Sequence, residues 1–382
     1  HEHSDHFHVP TLAKIDKHIP VYFPDFPNRR IEFKLKELGF INIHPMPFGE
    51  TFNVYKDIKL TCFEPSSLWN DSIALFEFGD LKFLNLNDAG LNDRIANLVY
   101  PVDIIASAFT WGASGFPLTW EHLSKYEKIK IMENSNKGMF EMLNSASEMY
   151  GAKYLIPYAG HFTLWHPDHT DYIELSIKNT VTDVLEYFAD KELNIIDLLP
   201  GEGYEFLTNN FRRVYKNRKR IYKKEIVNKY IKKKFNRDYF NEYYPDLKQL
   251  STKKIEDYFL RFNKSSEIFF CENISFKIEV LNNSEIEDIY FKVYNSNIQR
   301  IEQQPNIDLK IGIPGEVLNE IIKFNISWDE AHIGYWCKLD RSPDIFHPNF
   351  WRMLQTPYFK KSITTRESLN HNESLGHQSI ES

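Results

Sequence analysis

The chain is 382 residues long, carries a formal net charge of −7, and is 42% apolar and 26% charged. That length exceeds one typical domain and points to two with ample core; the acidic balance argues against nucleic acid as a partner, and no apolar run reaches the ~18 residues of a membrane span. Cys62, Cys271 and Cys337 are odd in number and far apart, so they offer no disulfide framework and no Cys-x-x-Cys pair, which fits a reducing cytoplasm.

The first six residues, His1-Glu2-His3-Ser4-Asp5-His6, read H-x-H-x-D-H. Imidazole nitrogens beside a carboxylate suit zinc, iron or manganese. On extended backbone, side chains two apart share a face, so His1 and His3 can grip one ion. A turn into a helix then brings Asp5 and His6 to the same point. An affinity tag is usually an unbroken histidine run, whereas this packet continues without a seam into Phe7-His8-Val9-Pro10-Thr11-Leu12. The packet reads as a metal site.

Further along, a short helix is expected over 11–18, a buried strand at 21–23, and a helix over 29–38 that Gly39 closes. Strands follow at 41–43, 51–55 and 58–63. The clearest hairpin joins 73–78 to 81–86 through Gly79-Asp80. Strands at 102–106, 154–156 and 194–199 alternate with helices over 123–149 and 180–191, a pattern that fits a two-sheet sandwich flanked by helices.

From about Phe211 the composition turns basic, with thirteen Lys and Arg from Arg212 to Arg237 against Glu225 and Asp238. Apolar residues at roughly helical spacing make this an amphipathic basic helix. It reads first as the solvated face of a linker, and second as a surface for nucleic acid, anionic lipid or a phosphate-bearing substrate. After Pro245 a second domain is expected, with strands at 268–271, 276–281 and 289–293. A strand, a turn at Pro314-Gly315 and a helix follow over 308–322. The tail from Ser362 is poor in apolar residues and is expected to be disordered.

The opening packet resembles the hallmark of the metallo-β-lactamase superfamily. In that superfamily the motif follows the first strands, so the resemblance implies a chain without its beginning, the C-terminal portion of a longer protein. Three stretches narrow the resemblance. The first is Trp111-Gly112-Ala113-Ser114-Gly115-Phe116-Pro117, and the second runs from Pro157 to Pro167. The third comprises Ser327-Trp328-Asp329-Glu330, Ile333-Gly334-Tyr335, Arg341-Ser342-Pro343-Asp344 and Asn349-Phe350-Trp351. In order and approximate spacing these resemble the CMP-N-acetylneuraminate hydroxylase family, from residue 1 to about residue 355.

That resemblance implies an α/β (α+β) chain in four parts. Residues 1–205 form a metallo-β-lactamase-like αββα sandwich, 206–240 a basic helical linker, 241–360 a smaller α+β domain, and 361–382 a disordered tail. It implies a monooxygenase that hydroxylates the N-acetyl group of CMP-sialic acid, or of a related nucleotide sugar or N-acyl sugar. Electrons come through a Rieske 2Fe-2S domain from an electron-transfer protein. Carried over, His1, His3, Asp5, His6 and Asp88 hold the catalytic metal, expected to be iron, with Asp5 and Asp88 at the chemistry. Asp88 enters because the superfamily places an acidic ligand at a strand end, the context of Leu84 to Ala89. Gly112, Ser114 and Gly115 line the substrate pocket, where backbone without Cβ lets a ligand approach. His161 or His166 takes the last ligand position or stands in the pocket wall.

The sequence departs from a dinuclear hydrolase of that superfamily. Such sites need a further histidine before Asp88, and Leu60 to Ser72 has none. One metal with open positions suits O2 chemistry better than the two-metal clamp of in-line hydrolysis. A Rieske centre needs two Cys and two His, which the scattered cysteines do not supply, so the cluster is expected upstream. Two alternatives stand beside the oxygenase. One is an amide or phosphodiester hydrolase whose zinc or manganese lowers the pKa of its water toward ~7. The other is a non-catalytic binding module built on the basic helix.

Overall fold

The structure, a computed structural model, describes residues 1, 3, 5–65, 71–111, 114–158, 160, 162–216, 223–236, 238, 250–282 and 284–359. Its fold class is mixed α/β. Helix α1 (Val9–Leu12) leads to β1 (Val21–Pro24), which pairs in parallel with β2 (Ile43–Met46) around α2 (Arg30–Glu37). Phe23, Phe26, Ile31, Leu35 and Phe40 pack between them. Strand β2 lies later than the expected 41–43, because the hydrogen bond from Val21 to Asn42 opens the ladder and Ile41 stays exposed.

A seven-stranded sheet follows. Its first four strands, β3 (Thr51–Tyr55), β4 (Ile58–Phe63), β5 (Ile73–Phe78) and β6 (Leu81–Asn87), form an antiparallel meander. Gly79, at φ 62°, makes the β5–β6 turn in the left-handed region. Strands β7 (Ile104–Ser107), β8 (Tyr154–Pro157) and β9 (Asn194–Ile195) continue parallel to β6. Parallel neighbours need crossovers, and α3 (Asp93–Val99) and α4 (Lys125–Tyr150) supply two of them. Helix α4 begins with a Ser124–Glu127 capping box and ends on Gly151 at φ 65°. Leu84, Ile105, Leu143, Tyr150 and Leu155 meet in the core between sheet and helices.

Beyond β8 come α5 (Thr170–Leu175), α6 (Val181–Tyr187) and a short ladder of β10 (Gly203–Glu205) with β11 (Asn210–Arg212). Arg212 therefore belongs to a strand, and the basic helix is shorter than its composition suggests: α7 covers Lys224–Lys234. It docks on α5 through Lys224 and Asn228, which both donate to Glu174.

In the second domain, α8 (Thr252–Leu260) precedes the strands β12 (Ile274–Leu281), β13 (Ile289–Tyr294), β14 (Asn297–Ile301) and β15 (Leu309–Pro314). Then come α9 (Gly315–Phe324), α10 (Trp328–Ile333), β16 (Lys338–Arg341) and α11 (Pro348–Phe359). The sheet order is β14-β13-β12-β15-β16. Alternate residues of β12 are buried, and Phe276 stacks on Phe291 at 5.1 Å over Phe259 and Phe350. The expected strand at 268–271 is a 3-10 turn (Ser266–Phe270), with Ile268 buried while Phe269 and Phe270 face out. Two aromatic neighbours pointing the same way cannot share a pleat. The tail from Ser362 lies outside the described residues.

The two domains are joined by backbone. The segment after the Trp111–Pro117 stretch runs beside β16: Glu121 donates to the Leu339 carbonyl (2.6 Å) and Leu339 to that of Thr119 (2.9 Å). Trp120 is buried in the core of the second domain under the Arg341 guanidinium, 3.9 Å from its ring centre. The Gly115 amide donates to the His332 carbonyl of α10 at 2.8 Å.

Candidate metal centre

The opening packet bends at His3 and then turns, with the amides of His6 and Phe7 donating to the His3 carbonyl at 2.9 and 2.7 Å. That turn folds His6 back onto His1, ring centres 4.0 Å apart, while His1 and His3 stand edge to face at 4.6 Å. Strand β6 delivers Asp88 from its C-terminal end. The donor atoms form two overlapping triads, His1–His3–Asp5 and His1–His6–Asp88, each with its atoms within 4.8 Å of one another. The structure thus brings His1, His3, Asp5, His6 and Asp88 together.

A further carboxylate, not expected from the sequence, supports the group from behind His1. Asp71, 7% exposed at the entry to β5, places Oδ1 2.9 Å from His1 Nδ1. It lies in the stretch Leu60 to Ser72, where only a histidine was sought. The carboxylate there stands behind His1 and outside both triads, so it supports a ligand and does not replace the missing histidine. With Nδ1–H given to Asp71, His1 keeps its lone pair on Nε2. That atom is buried and has no hydrogen-bond partner, which is the state a metal ligand needs.

Electrostatics ties the group together. Burial works against a charged His1, but the hydrogen bond to Asp71 and the negative charges of Asp71, Asp88 and Asp5 raise its pKa. Partial burial likewise opposes ionisation of Asp88. The hydrogen bond from His6, with the charges of His1 and His6, outweighs it and holds the carboxyl at about 2. Asp88 stays 43% exposed, so one side of the centre is open. Three imidazoles and two carboxylates, with Asp71 behind His1, are a mixed nitrogen and oxygen donor set that suits iron, manganese or zinc. The residues fit a metal.

His6 has its own support. Its Nε2 lies 3.2 Å from Asp88 and 3.6 Å from Asp5, and its Nδ1 lies 3.1 Å from Asn87 Nδ2. The Tyr158 hydroxyl touches Asn85 Oδ1 and, at 3.1 Å, Asn87 Oδ1. One hydroxyl proton cannot serve both oxygens. Half a turn of the Asn87 amide keeps every heavy-atom contact. It gives His6 an acceptor for Nδ1–H and lets Tyr158 accept from Nδ2 while donating to Asn85. His6 Nε2 faces Asp88 at 3.2 Å, in a hydrogen bond that a metal ion between them would replace. Burial pushes the Tyr158 phenol up to about 12, with Asp88 and Asp71 adding to the shift, so this relay holds its proton.

His161 and Gly112 lie outside the described residues. Ser114 is exposed and Gly115 is buried at the domain junction. A Cβ on Gly115 would come within 2.7 Å of the Thr119 side chain and 3.3 Å of the His332 carbonyl, so domain packing alone requires glycine there. His166 is 2% exposed, walled by Trp165, Phe235 and Trp336, and accepts from the Asp168 amide at 3.2 Å. It stands in the wall between the domains. Burial pushes the Asp329 carboxyl of α10 up to about 7, and the charge of His1 is among those it feels.

No family model matches the chain. Among solved structures it is similar to the metallo-β-lactamase fold protein YhfI from Bacillus subtilis (13% identity, 50% of this chain and 69% of that one, TM-score 0.28). It is also similar to CmlA, a diiron β-hydroxylase from Streptomyces venezuelae (15% identity, 37% and 30%, TM-score 0.26). Among curated proteins it is 24% identical to the cytidine monophosphate-N-acetylneuraminic acid hydroxylase of Danio rerio, over 93% of this chain and 62% of that protein. The inactive human protein of that name is 24% identical over 93% of this chain and 73% of its own length. The chain therefore spans about three fifths of the length of the zebrafish relative, and the alignments run through both domains.

Proposed function

We propose that the chain is the metal-binding catalytic part of an oxygenase that hydroxylates the N-acetyl group of a nucleotide sugar or a related N-acyl sugar. The observation that carries this is the joint one. The likeness to CMP-N-acetylneuraminic acid hydroxylases covers 93% of the chain, and a carboxylate-rich histidine cluster stands at the C-terminal end of the sheet. His1, His3, Asp5, His6 and Asp88 hold the metal, taken as iron. When bound, it supplies the redox chemistry that activates O2.

The chain's own residues then have distinct tasks. Asp71 fixes the His1 tautomer, and the Asn87–Tyr158 relay fixes that of His6. Asp88, held ionised, contributes charge on the open side, where the substrate enters. The reaction balances as R–H + O2 + 2e⁻ + 2H⁺ → R–OH + H2O, with an electron-transfer protein as the source of the electrons. Ser114, beside Gly112, borders the substrate, and His161 completes the ligand set or the wall.

Elemental analysis of anaerobically purified protein, beside His3→Ala, tests the assignment. Iron bound in proportion to the chain and lost in the variant supports it, as does hydroxylation of CMP-sialic acid with O2 and a reductant. Zinc or manganese in place of iron, with metal-dependent hydrolysis of amides or phosphodiesters, replaces it with the hydrolase.

A further inference from the structure

Behind the Trp111–Pro117 stretch, where the domains meet, lies a small, partly open pocket lined by a lysine whose ammonium is buried. Leu118, Phe162 and Ile173 are among its apolar lining residues, and Thr163, Ser176 and Tyr335 among its hydroxyl-bearing ones. Lys178 Nζ sits 3.0 Å from the centre of the Phe162 ring and 5.5 Å from that of Trp111. It is buried and has no hydrogen-bond partner. No carboxylate is among the cavity's described lining residues. Lys128 nearby shows the ordinary solution, since its partly buried ammonium donates to the Leu118 carbonyl at 2.9 Å.

The segment around Lys178 is built to hold it there. Trp111 Nε1 donates to the Ile177 carbonyl, and Asn136 Nδ2 donates to the same oxygen at 3.2 Å. The Asn179 amide donates to Thr110 at 3.1 Å, and its side chain to the Phe109 and Asn136 carbonyls at 2.9 Å each. Both neighbours of Lys178 are thus pinned to the loop after β7 and to α4. The second domain closes the cavity with Tyr335, whose φ of 61° is rare for an aromatic residue. A desolvated ammonium with only ring faces for company is costly, and a cation–π contact leaves its three N–H donors unused. An anion would use them.

We infer that Lys178 is the cation of an anion-binding pocket between the two domains, taking the carboxylate or phosphate group of an acidic substrate. Thr163, Ser176 and Tyr335 supply hydroxyls to the same anion, and Phe162 and Trp111 exclude water from it. Burial pushes the amine down to about 7, so a bound anion would draw the proton back and affinity falls as pH rises through that range. Tyr335 is the other titratable group among the pocket's described lining residues.

The inference rests on the proposed function only for the choice of probes. Calorimetric titration of metal-free protein at pH 6.5 with N-acetylneuraminate (a carboxylate) and with CMP (a phosphate) tests it, with N-acetylmannosamine as the neutral control. At least one acidic probe is expected to bind, at least tenfold more weakly in Lys178→Met, with part of the affinity kept in Lys178→Arg. Which acid binds identifies the group that the pocket takes. Binding that is unchanged in Lys178→Met, or absent for both acids, overturns the inference. Thermal melting confirms that Lys178→Met is folded. Because the metal is removed, a failure of the iron assignment leaves this result untouched, and His3→Ala is expected to bind the acids as the parent does.

Discussion

Asp71 decides how His1 is presented. Its carboxylate accepts from Nδ1 at 2.9 Å and leaves Nε2 without a partner inside the centre. Asp71→Ala is therefore expected to weaken metal binding by about 10- to 100-fold, the usual cost of losing an outer partner of a histidine ligand. Asp71→Asn, which can still accept through Oδ1, should lose less, and competition with a chelator measures both. Equal losses would mean that the negative charge, not the tautomer, is what matters. Lys178 gives a second residue-scale outcome. Its amine titrates near 7 in the folded chain and near 10.5 when unfolded. Between those values the unfolded state holds the extra proton, so this residue makes stability rise with pH, by at most about 1.4 kcal/mol per unit. Below 7 the cost of burying the charge is fully present. Lys178→Met should be more stable than the parent at pH 6.5 and should flatten the rise between pH 7 and 10, as chemical denaturation across pH reads out. The packet of His1 to His6 was legible because its donors are local. Asp71 was not, since only the fold carries it to His1, and Lys178 was not, since its burial depends on Ile177, Asn179 and Tyr335.

At the scale of elements, sequence patterns served where they were long. The β5–β6 hairpin and α4 carry their own stop signals in Gly79 and Gly151, and β12 carries strict alternation. Short apolar runs misled: Ile268 to Cys271 has strand composition but makes a 3-10 turn, because only Ile268 has a core to enter. The Trp111–Pro117 stretch shows the limit differently. Its glycine suggested ligand approach, whereas the space at Gly115 is filled by Thr119 and the His332 carbonyl. Gly115→Ala is expected to destabilise the protein by about 1–3 kcal/mol through overpacking. Thr119→Ala removes the two nearest atoms, and Thr119 Oγ1 is buried without a partner, so the double variant should recover most of the loss. Thermal melting of the two single variants and the double closes that cycle. Additive losses would show that the His332 carbonyl, not Thr119, sets the limit.

At the scale of the molecule, the two domains share more than a linker. A strand-like pairing of Thr119–Glu121 with Leu339 crosses between them, and Trp120 lies in the core of one domain while belonging to the sequence of the other. Arg341 ties the same ring to Asp344 and, through its amide, to His122 at 3.3 Å. Lys310 reaches Glu121 at 3.0 Å. Exposed ion pairs of this kind add little by themselves; a buried tryptophan adds much more, since its truncation to alanine costs about 3–5 kcal/mol in a core. The Lys178 pocket, which Tyr335 closes, depends on this junction. Calorimetric unfolding of the intact chain should accordingly show one transition, with van't Hoff and calorimetric enthalpies close to equal. Trp120→Ala should lower that transition or split it in two. Two well-separated peaks in the unsubstituted protein would mean that the domains melt independently.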